Sequence, residues 1–245
     1  MLNKIIHGDC LEVMKDIPDK SVDLVVCDLP YGVTQNKKDI IIDLESLWKQ
    51  YNRIVKDDGV LVFTAQFPFT IDLILSQRKM FRYDLIWNKI MSSGFLNAKR
   101  MPLRSHEHIL VFYKKLGTYN PQYIKGNSLH SQGNTDKVKT NNNYGNFYRY
   151  NDSRAGSTHK YPKSILDISK IHSSVSIHRT EKPVALAEWL IRTYSNEGDV
   201  VLDNCIGAGW TALAALKNNR KFIGIEIDEE YVKIARRRIA EWLEK

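Results

Sequence analysis

The sequence predicts an α/β protein built on a parallel sheet covered by helices. Three observations carry that prediction. Short apolar runs alternate with helical periodicity through the first ninety residues, the same rhythm returns after residue 180, and a glycine-containing turn joins a strand to a helix in that second stretch.

The elements follow in order. Lys4–Ile6 begins the chain as a short strand, and Val22-Asp23-Leu24-Val25-Val26-Cys27 reads as a buried one. Leu44, Leu47, Trp48, Tyr51 and Ile54 recur at helical spacing. Gly59–Thr64, Tyr83–Trp87 and Ile109–Tyr113 are further strand candidates. After residue 180, Pro183 suits the first turn of a helix whose apolar stripe is Leu186, Trp189, Leu190 and Ile191, and Gly198 ends it. Asp199–Asp203 and Phe222–Ile227 are strands, Thr211–Asn218 a helix, and Glu229–Leu243 a final amphipathic helix.

Composition narrows the class. The 245 residues are 43% hydrophobic and 26% charged, ordinary for a globular chain. No run of about 18 apolar residues occurs and the first residues lack a signal-peptide pattern, so a cytoplasmic protein is expected. Cys10, Cys27 and Cys205 are far apart in sequence and lack metal-ligand spacing; they read as small buried hydrophobes, with Cys10 set apart by the motif around it. The net charge of +8 is unevenly spread: residues 89–180 hold 15 Lys and Arg against 4 Asp and Glu, and the remainder is mildly acidic. Such a segment suits a polyanion, although a basic solvated loop would look the same.

From Gly117 to Ser164 apolar periodicity vanishes. Asn, Gly, Ser and Lys dominate, yet Tyr119, Tyr123, Tyr144, Phe147, Tyr148, Tyr150 and Tyr161 continue through the stretch. Cations interleaved with aromatic rings can hold phosphates and stack on bases, so a binding insert is expected.

Asp203-Asn204-Cys205-Ile206-Gly207-Ala208-Gly209 lies between a strand and a helix, and Glu226 ends the next strand, where it could accept both hydroxyls of a ribose. The third glycine of a dinucleotide fingerprint is missing, because Ala212 stands there, and little chain follows to complete a dinucleotide fold. S-adenosylmethionine is therefore preferred to NAD, with Asp203 facing its amino-acid portion.

Asp28-Leu29-Pro30-Tyr31-Gly32 follows the strand that ends at Cys27. An aryl amine is a poor nucleophile because its lone pair is delocalised. Two acceptors on its hydrogens, the Asp28 carboxylate and the Leu29 carbonyl, would free that pair. Pro30 stiffens the loop, and Tyr31 offers a face for a flipped base. Alone, this tetrapeptide could be a plain turn.

With its companions it resembles the β class of DNA amino-methyltransferases, in which a D-P-P-Y loop precedes a target-recognition insert and the cofactor motif comes last. The resemblance covers approximately residues 4–113 and 178–242. It implies a Rossmann-like class I methyltransferase sheet, circularly permuted, so that the final helix would lead into Lys4–Ile6 if the ends were joined. It divides the chain into a catalytic half (1–115), a basic target-recognition insert (116–177) and a cofactor half (178–245). Asp28, Leu29, Pro30 and Tyr31 take the catalytic positions. His178-Arg179-Thr180-Glu181-Lys182-Pro183 is similar to the H-x-T-x-K-P segment beside the methionine moiety, with His178 equally readable as a surface or capping residue. Cofactor contacts are implied for Asp9 and Cys10 in the segment facing adenine, and for Asp28 and Lys182. They are implied too for Asp203, Cys205, Gly207, Gly209 and Thr211 in the glycine loop, and for Glu226 with Ile227. Leu29 departs from the family pattern by replacing a proline. Cys205-Ile206 and Trp210 depart as well, and Trp210 is expected to pack beside the cofactor.

The reading that results is a site-specific DNA methyltransferase acting on N6 of adenine. Cytosine N4 is the nearest alternative, since both reactions use the same loop; an Asp at its first position favours adenine by family tendency. RNA or protein-glutamine methylation is disfavoured by the order of the motifs, a purely nucleic-acid-binding role by the intact acids, and a C5-cytosine enzyme by the lack of a Pro-Cys pair. Double-stranded DNA is the expected partner, with phosphate contacts from Lys99, Arg100 and Arg104; Met101 and Leu103 read as packing residues. The resemblance leaves a homodimer and a cognate restriction endonuclease open, and no metal or membrane is expected.

Overall fold

The computed structural model describes residues 1–32, 39–127, 129, 139–141, 143, 145–147, 156–171 and 181–244. In chain order the elements begin with β1 (Lys4–His7), α1 (Cys10–Val13), β2 (Val22–Cys27), α2 (Leu44–Ile54), β3 (Val55–Ala65), α3 (Phe69–Ser76), β4 (Phe81–Ser93) and β5 (Arg104–Tyr113). Four short strands follow: β6 (Ile124–Lys125), β7 (Lys139–Asn141), β8 (Gly145–Phe147) and β9 (His159–Lys160). The chain then runs through β10 (Ile165–Asp167), α4 (Val184–Tyr194), β11 (Val200–Asp203), α5 (Trp210–Lys217), β12 (Lys221–Glu226) and α6 (Glu229–Leu243).

Two compact units result, Met1–Asn120 with Ser164–Lys245, and Pro121–Lys163. Among the described residues the larger unit holds an eight-stranded sheet in the order β1-β12-β11-β2-β3-β5-β4-β10. All neighbours are parallel except where β5 meets β3 and β4. The sheet is therefore one set of aligned strands with a single reversed member, β5.

Burial explains why the central strands read as continuous apolar runs. Along β2, Leu24 and Val26 enter one core cluster while Val25 and Cys27 enter the other. Along β3, Val60 and Val62 face the first and Leu61 and Phe63 the second. Successive side chains point to opposite faces, so a strand covered on both needs apolar residues throughout. The first cluster is closed by Leu186 and Leu190 of α4, Ala212 of α5 and Ile239 of α6. The second is closed by Leu47, Trp48 and Tyr51 of α2 with Phe69 and Leu73 of α3. α2 starts where the Asp43 side chain accepts from the Ser46 N–H at 2.9 Å, satisfying a donor that the first turn leaves free.

Several features depart from the sequence expectations. α3 was not foreseen, because Ile71 and Leu75 are exposed while Phe69 and Leu73 are buried, so apolar residues ring the helix and leave no stripe. Ile165–Asp167 joins the main sheet beside β4, and the larger unit resumes at Ser164, ahead of the boundary expected at 178. α4 ends at Tyr194 with Ser195 as its cap, before Gly198. Trp210 is 4% exposed and belongs to the core cluster that α4 and α6 close. In the smaller unit β6 pairs with β9 and β7 with β8, both antiparallel. The rings of Tyr123 and Tyr161 lie 5.4 Å apart there, while Tyr119, in the larger unit, lies 6.2 Å from Tyr194.

Candidate active site at the carboxyl edge of the sheet

Parallel strands end together, and the loops beyond their carboxyl ends line one edge. Asp28 follows β2, Asp203 closes β11, Glu226 closes β12, and Gly8-Asp9 follows β1. β5 runs the other way, so its beginning, with Arg104 and Glu107, lies at this same edge. Residues from both termini of the chain thus meet along one line.

At the β11–β12 end the framework is backbone held by carboxylates. Glu226 accepts from Gly207 N–H and from Asp228 N–H, each at 2.8 Å. Asp203 accepts from Thr211 Oγ1 at 2.6 Å and from Cys205 N–H at 3.1 Å. Its carboxyl, 1% exposed, is pushed up to about 7 by burial. Gly207 and Gly209 have φ of +51° and +85°, the left-handed region that glycine enters without strain. A Cβ on Gly209 would stand 3.1 Å from Ala235 Cβ, so the loop also packs closely on α6. Arg238 of α6 donates to Ala208 O at 2.7 Å and to Glu181 at 2.6 Å, tying the loop to the segment that carries Lys182.

Asp9 is exposed and caps α1, accepting from Leu11 N–H at 2.7 Å. His7 Nε2 lies 3.1 Å from Ile227 O, and the Ile227 side chain is exposed. The three cysteines, scattered in sequence, converge here. Cys205 contacts both others; its thiol and burial hold Cys10 far above the usual range, while burial pushes Cys27 up to about 12. All three therefore stay neutral thiols, as packing residues should.

The β2 end is built from side chains. Asp28 Oδ1 accepts from Tyr31 OH at 2.5 Å and from Thr64 Oγ1, and Oδ2 accepts from Lys182 Nζ at 2.7 Å. Beyond Lys182 stands Glu107, whose Oε2 is 3.3 Å from that ammonium, and Lys89 Nζ is 3.3 Å from Glu107 Oε1. Asp28, Lys182, Glu107 and Lys89 form a row of alternating charge, buried save for Asp28, which is partly exposed. Burial drags Lys182 down, but Asp28 and then Glu107 outweigh it and hold its ammonium above the ordinary lysine range. Burial depresses Lys89. The Tyr31 ring stacks on Phe69 at 5.6 Å with 26° between planes, and its hydroxyl is held well above the usual range by burial and by Asp28. Leu29 is buried.

Sequence reasoning missed Thr64, Phe69, Glu107 and Lys89. Thr64 was within reach: β2 and β3 pair with Cys27 opposite Phe63, so residue 64 must sit beside residue 28. A buried Glu107 ahead of the apolar run Ile109–Tyr113 carried a weaker signal. Lys99 and Arg100 lie exposed on the turn between β4 and β5, and Arg104 donates to Gln66 at 3.0 Å, so none of the three reaches Asp28. His178 lies outside the described residues.

The residues fit S-adenosylmethionine. Among the described residues each oxygen of Glu226 keeps one of its two acceptor positions, where a ribose hydroxyl could bond, and the turned glycine loop opens beside two buried acids. Among the described residues no cluster of His, Cys, Asp and Glu could hold a metal ion, and no helix is long and apolar enough to cross a membrane.

Comparison with known proteins agrees. The N6/N4 methyltransferase family profile, described as DNA methylase, matches residues 22–237. The chain is 31% identical to the DNA adenine methyltransferase YhdJ of Escherichia coli over 250 residues, covering 96% of this chain and 82% of that protein. The crystal structure of an M1.HpyAVI–SAM complex matches with a TM-score of 0.63 at 25% identity, over 96% of this chain and 98% of the other. The cytosine-N4-specific PvuII DNA methyltransferase shares the fold, with a TM-score of 0.64 at 19% identity over 95% of this chain and 84% of its own. The sheet with one reversed strand is thus a class I methyltransferase sheet, and the chain belongs to the N6-adenine/N4-cytosine DNA methylase family as an S-adenosylmethionine-dependent DNA methyltransferase.

Proposed function

We propose that the protein methylates N6 of adenine at a specific DNA sequence, with Asp28 as the acceptor that activates the amino group. The observation that carries this reading is the hydrogen-bond count on Asp28. A carboxylate oxygen has two acceptor positions; hydroxyls fill both on Oδ1, and Lys182 fills one on Oδ2. Among the described residues one position on Oδ2 is left, and the incoming base would fill it with an N–H.

S-adenosylmethionine supplies a methyl group made electrophilic by its sulfonium. Glu226 would hold its ribose, and Asp203 its ammonium, each from a fixed backbone frame. Asp28 Oδ2 and the Leu29 carbonyl would accept the two amino hydrogens, drawing the nitrogen toward sp³ and directing its lone pair at the methyl carbon. Asp28 then opposes the positive charge that develops on nitrogen, where a preorganised acceptor contributes most. Tyr31, braced by Phe69, would stack on the flipped base, and Lys99, Arg100 and Arg104 would hold phosphates. The basic stretch around the smaller unit would read the target sequence.

Adenine is preferred over cytosine because Asp stands at the first loop position, and YhdJ is named an adenine enzyme. The test is incubation with labelled S-adenosylmethionine and genomic DNA, then nucleoside analysis. N6-methyladenine is expected; N4-methylcytosine would transfer the reading to the other base, and absence of label in DNA would refute both.

A further inference from the structure

Glu107 has a feature that the reading above does not use. Its Oε2 is buried and, among the described residues, has no hydrogen-bond partner. A buried carboxylate oxygen left without a hydrogen bond is costly, and it calls for an explanation. Lys182 Nζ lies 3.3 Å from that oxygen yet bonds Asp28, at 2.7 Å. The same ammonium stands 5.6 Å from the centroid of the Tyr31 ring. In this arrangement Lys182 stands beside the position left for the base on Asp28 Oδ2 and on the approach to Tyr31, crowding the two groups that a flipped base needs.

We infer that Glu107 is a second seat for the Lys182 ammonium, a positioning residue that draws it away from Asp28 when the target base enters. The displacement is small, because both carboxylates are already within ion-pair range of one nitrogen. It exchanges one charged hydrogen bond for another: Asp28 Oδ2, which already offers one position to the amino group, is cleared of the ammonium beside it, and Glu107 Oε2 gains the partner it lacks. Lys89 holds the other oxygen of Glu107, at 3.3 Å, and so keeps the seat fixed while the ammonium moves. The charged and titratable groups around Lys182 are Asp28 and the neutral phenol of Tyr31 from the loop after β2, Glu107 from β5 and Lys89 from β4, while the adjacent Glu181 is paired with Arg238. This inference rests on Asp28 being the amino-group acceptor.

The experiment compares full-length Glu107→Gln, Glu107→Asp, Lys89→Met and Asp28→Ala with the parent, in kcat against pH and in affinity for S-adenosylmethionine. Glu107→Gln removes the charged seat, so kcat at neutral pH is expected to fall about ten- to a hundredfold while cofactor affinity stays near that of the parent. With Glu107 gone, one of the two carboxylates that outweigh burial is lost, so Lys182 deprotonates more readily. The alkaline limb of the profile therefore moves to lower pH, and Glu107→Asp, which restores the charge, moves it back. Lys89→Met breaks the same Lys89–Glu107 pair but leaves the seat charged, so its alkaline limb does not move down. A purely structural role predicts that Glu107→Gln and Lys89→Met lower thermal stability alike and leave both profiles in place, and that result overturns the inference. If Asp28→Ala abolishes turnover while Glu107→Gln behaves as the parent, the seat alone is wrong. If Asp28→Ala stays active, the reading beneath it fails as well.

Discussion

The two ends of the candidate site are built from different materials. Around Asp203 and Glu226 the carboxylates are held by backbone N–H groups and a hydroxyl, in a loop whose shape depends on two glycines with positive φ. Around Asp28 the carboxylate is held, among the described residues, by the side chains of Tyr31, Thr64 and Lys182, backed by Glu107 and Lys89. A backbone cradle keeps its form through many changes of side chain. A row of charges has no such tolerance, because each member is the partner of the next, and removing one leaves a buried charge without its counterion.

The largest test of that contrast is Asp28→Ala. Turnover should fall by at least about a hundredfold while cofactor affinity changes little, as for an acceptor used in the transition state. Radiolabel transfer and equilibrium dialysis separate the two quantities, and a loss of cofactor binding equal to the loss of rate would merge the two ends into one site. Next is Asp203→Asn, expected to weaken S-adenosylmethionine about tenfold, the loss of one charged contact to an ammonium. The parent carries its own control: Asp203 is protonated below about 7 and ionised above it, so affinity should rise as pH passes that value. In Asp203→Asn the rise should vanish, and its persistence would locate the titrating group elsewhere.

Smaller effects test the backbone cradle itself. Gly209→Ala should lower stability by about 2 kcal/mol, since it adds left-handed strain and a contact with Ala235. Gly207→Ala meets open space and should cost about 1 kcal/mol, from strain alone. Thermal melts rank the two, and equal losses would mean that packing on α6 contributes nothing. Smallest of all, Arg104→Ala should reduce the salt dependence of DNA affinity by about one phosphate contact without altering cofactor binding.

Much of this was legible in the sequence, for physical reasons that differ by region. β2 and β11 announce themselves because both faces are covered, and the acids that end them fall at predictable places. The glycine loop is readable because its conformation restricts residue type. The charge row was not, since Lys89, Glu107 and Lys182 lie on three separate segments that only the sheet order brings together. Cys10 and Cys27 are buried as expected and Cys205 is half-buried, but that the three are neighbours was hidden for the same reason. α3 was hidden by its own hydrophobicity, and β10 because three residues at a sheet edge carry too little pattern to stand out from a polar stretch.

The strand order also governs when activity can begin on a growing chain. β2 is made long before one of its two neighbours in the sheet, β11, which follows residue 199, and among the described residues β1 waits for β12 as its one strand partner. Asp28 is therefore synthesised well before the strands that complete its sheet. A chain that ends before β11 carries the Asp28 loop but has neither the glycine loop nor a closed sheet centre. Methyl transfer is therefore not expected from a nascent fragment, and the unpaired edges of β1 and β2 make that interval the one in which the protein most needs protection from aggregation.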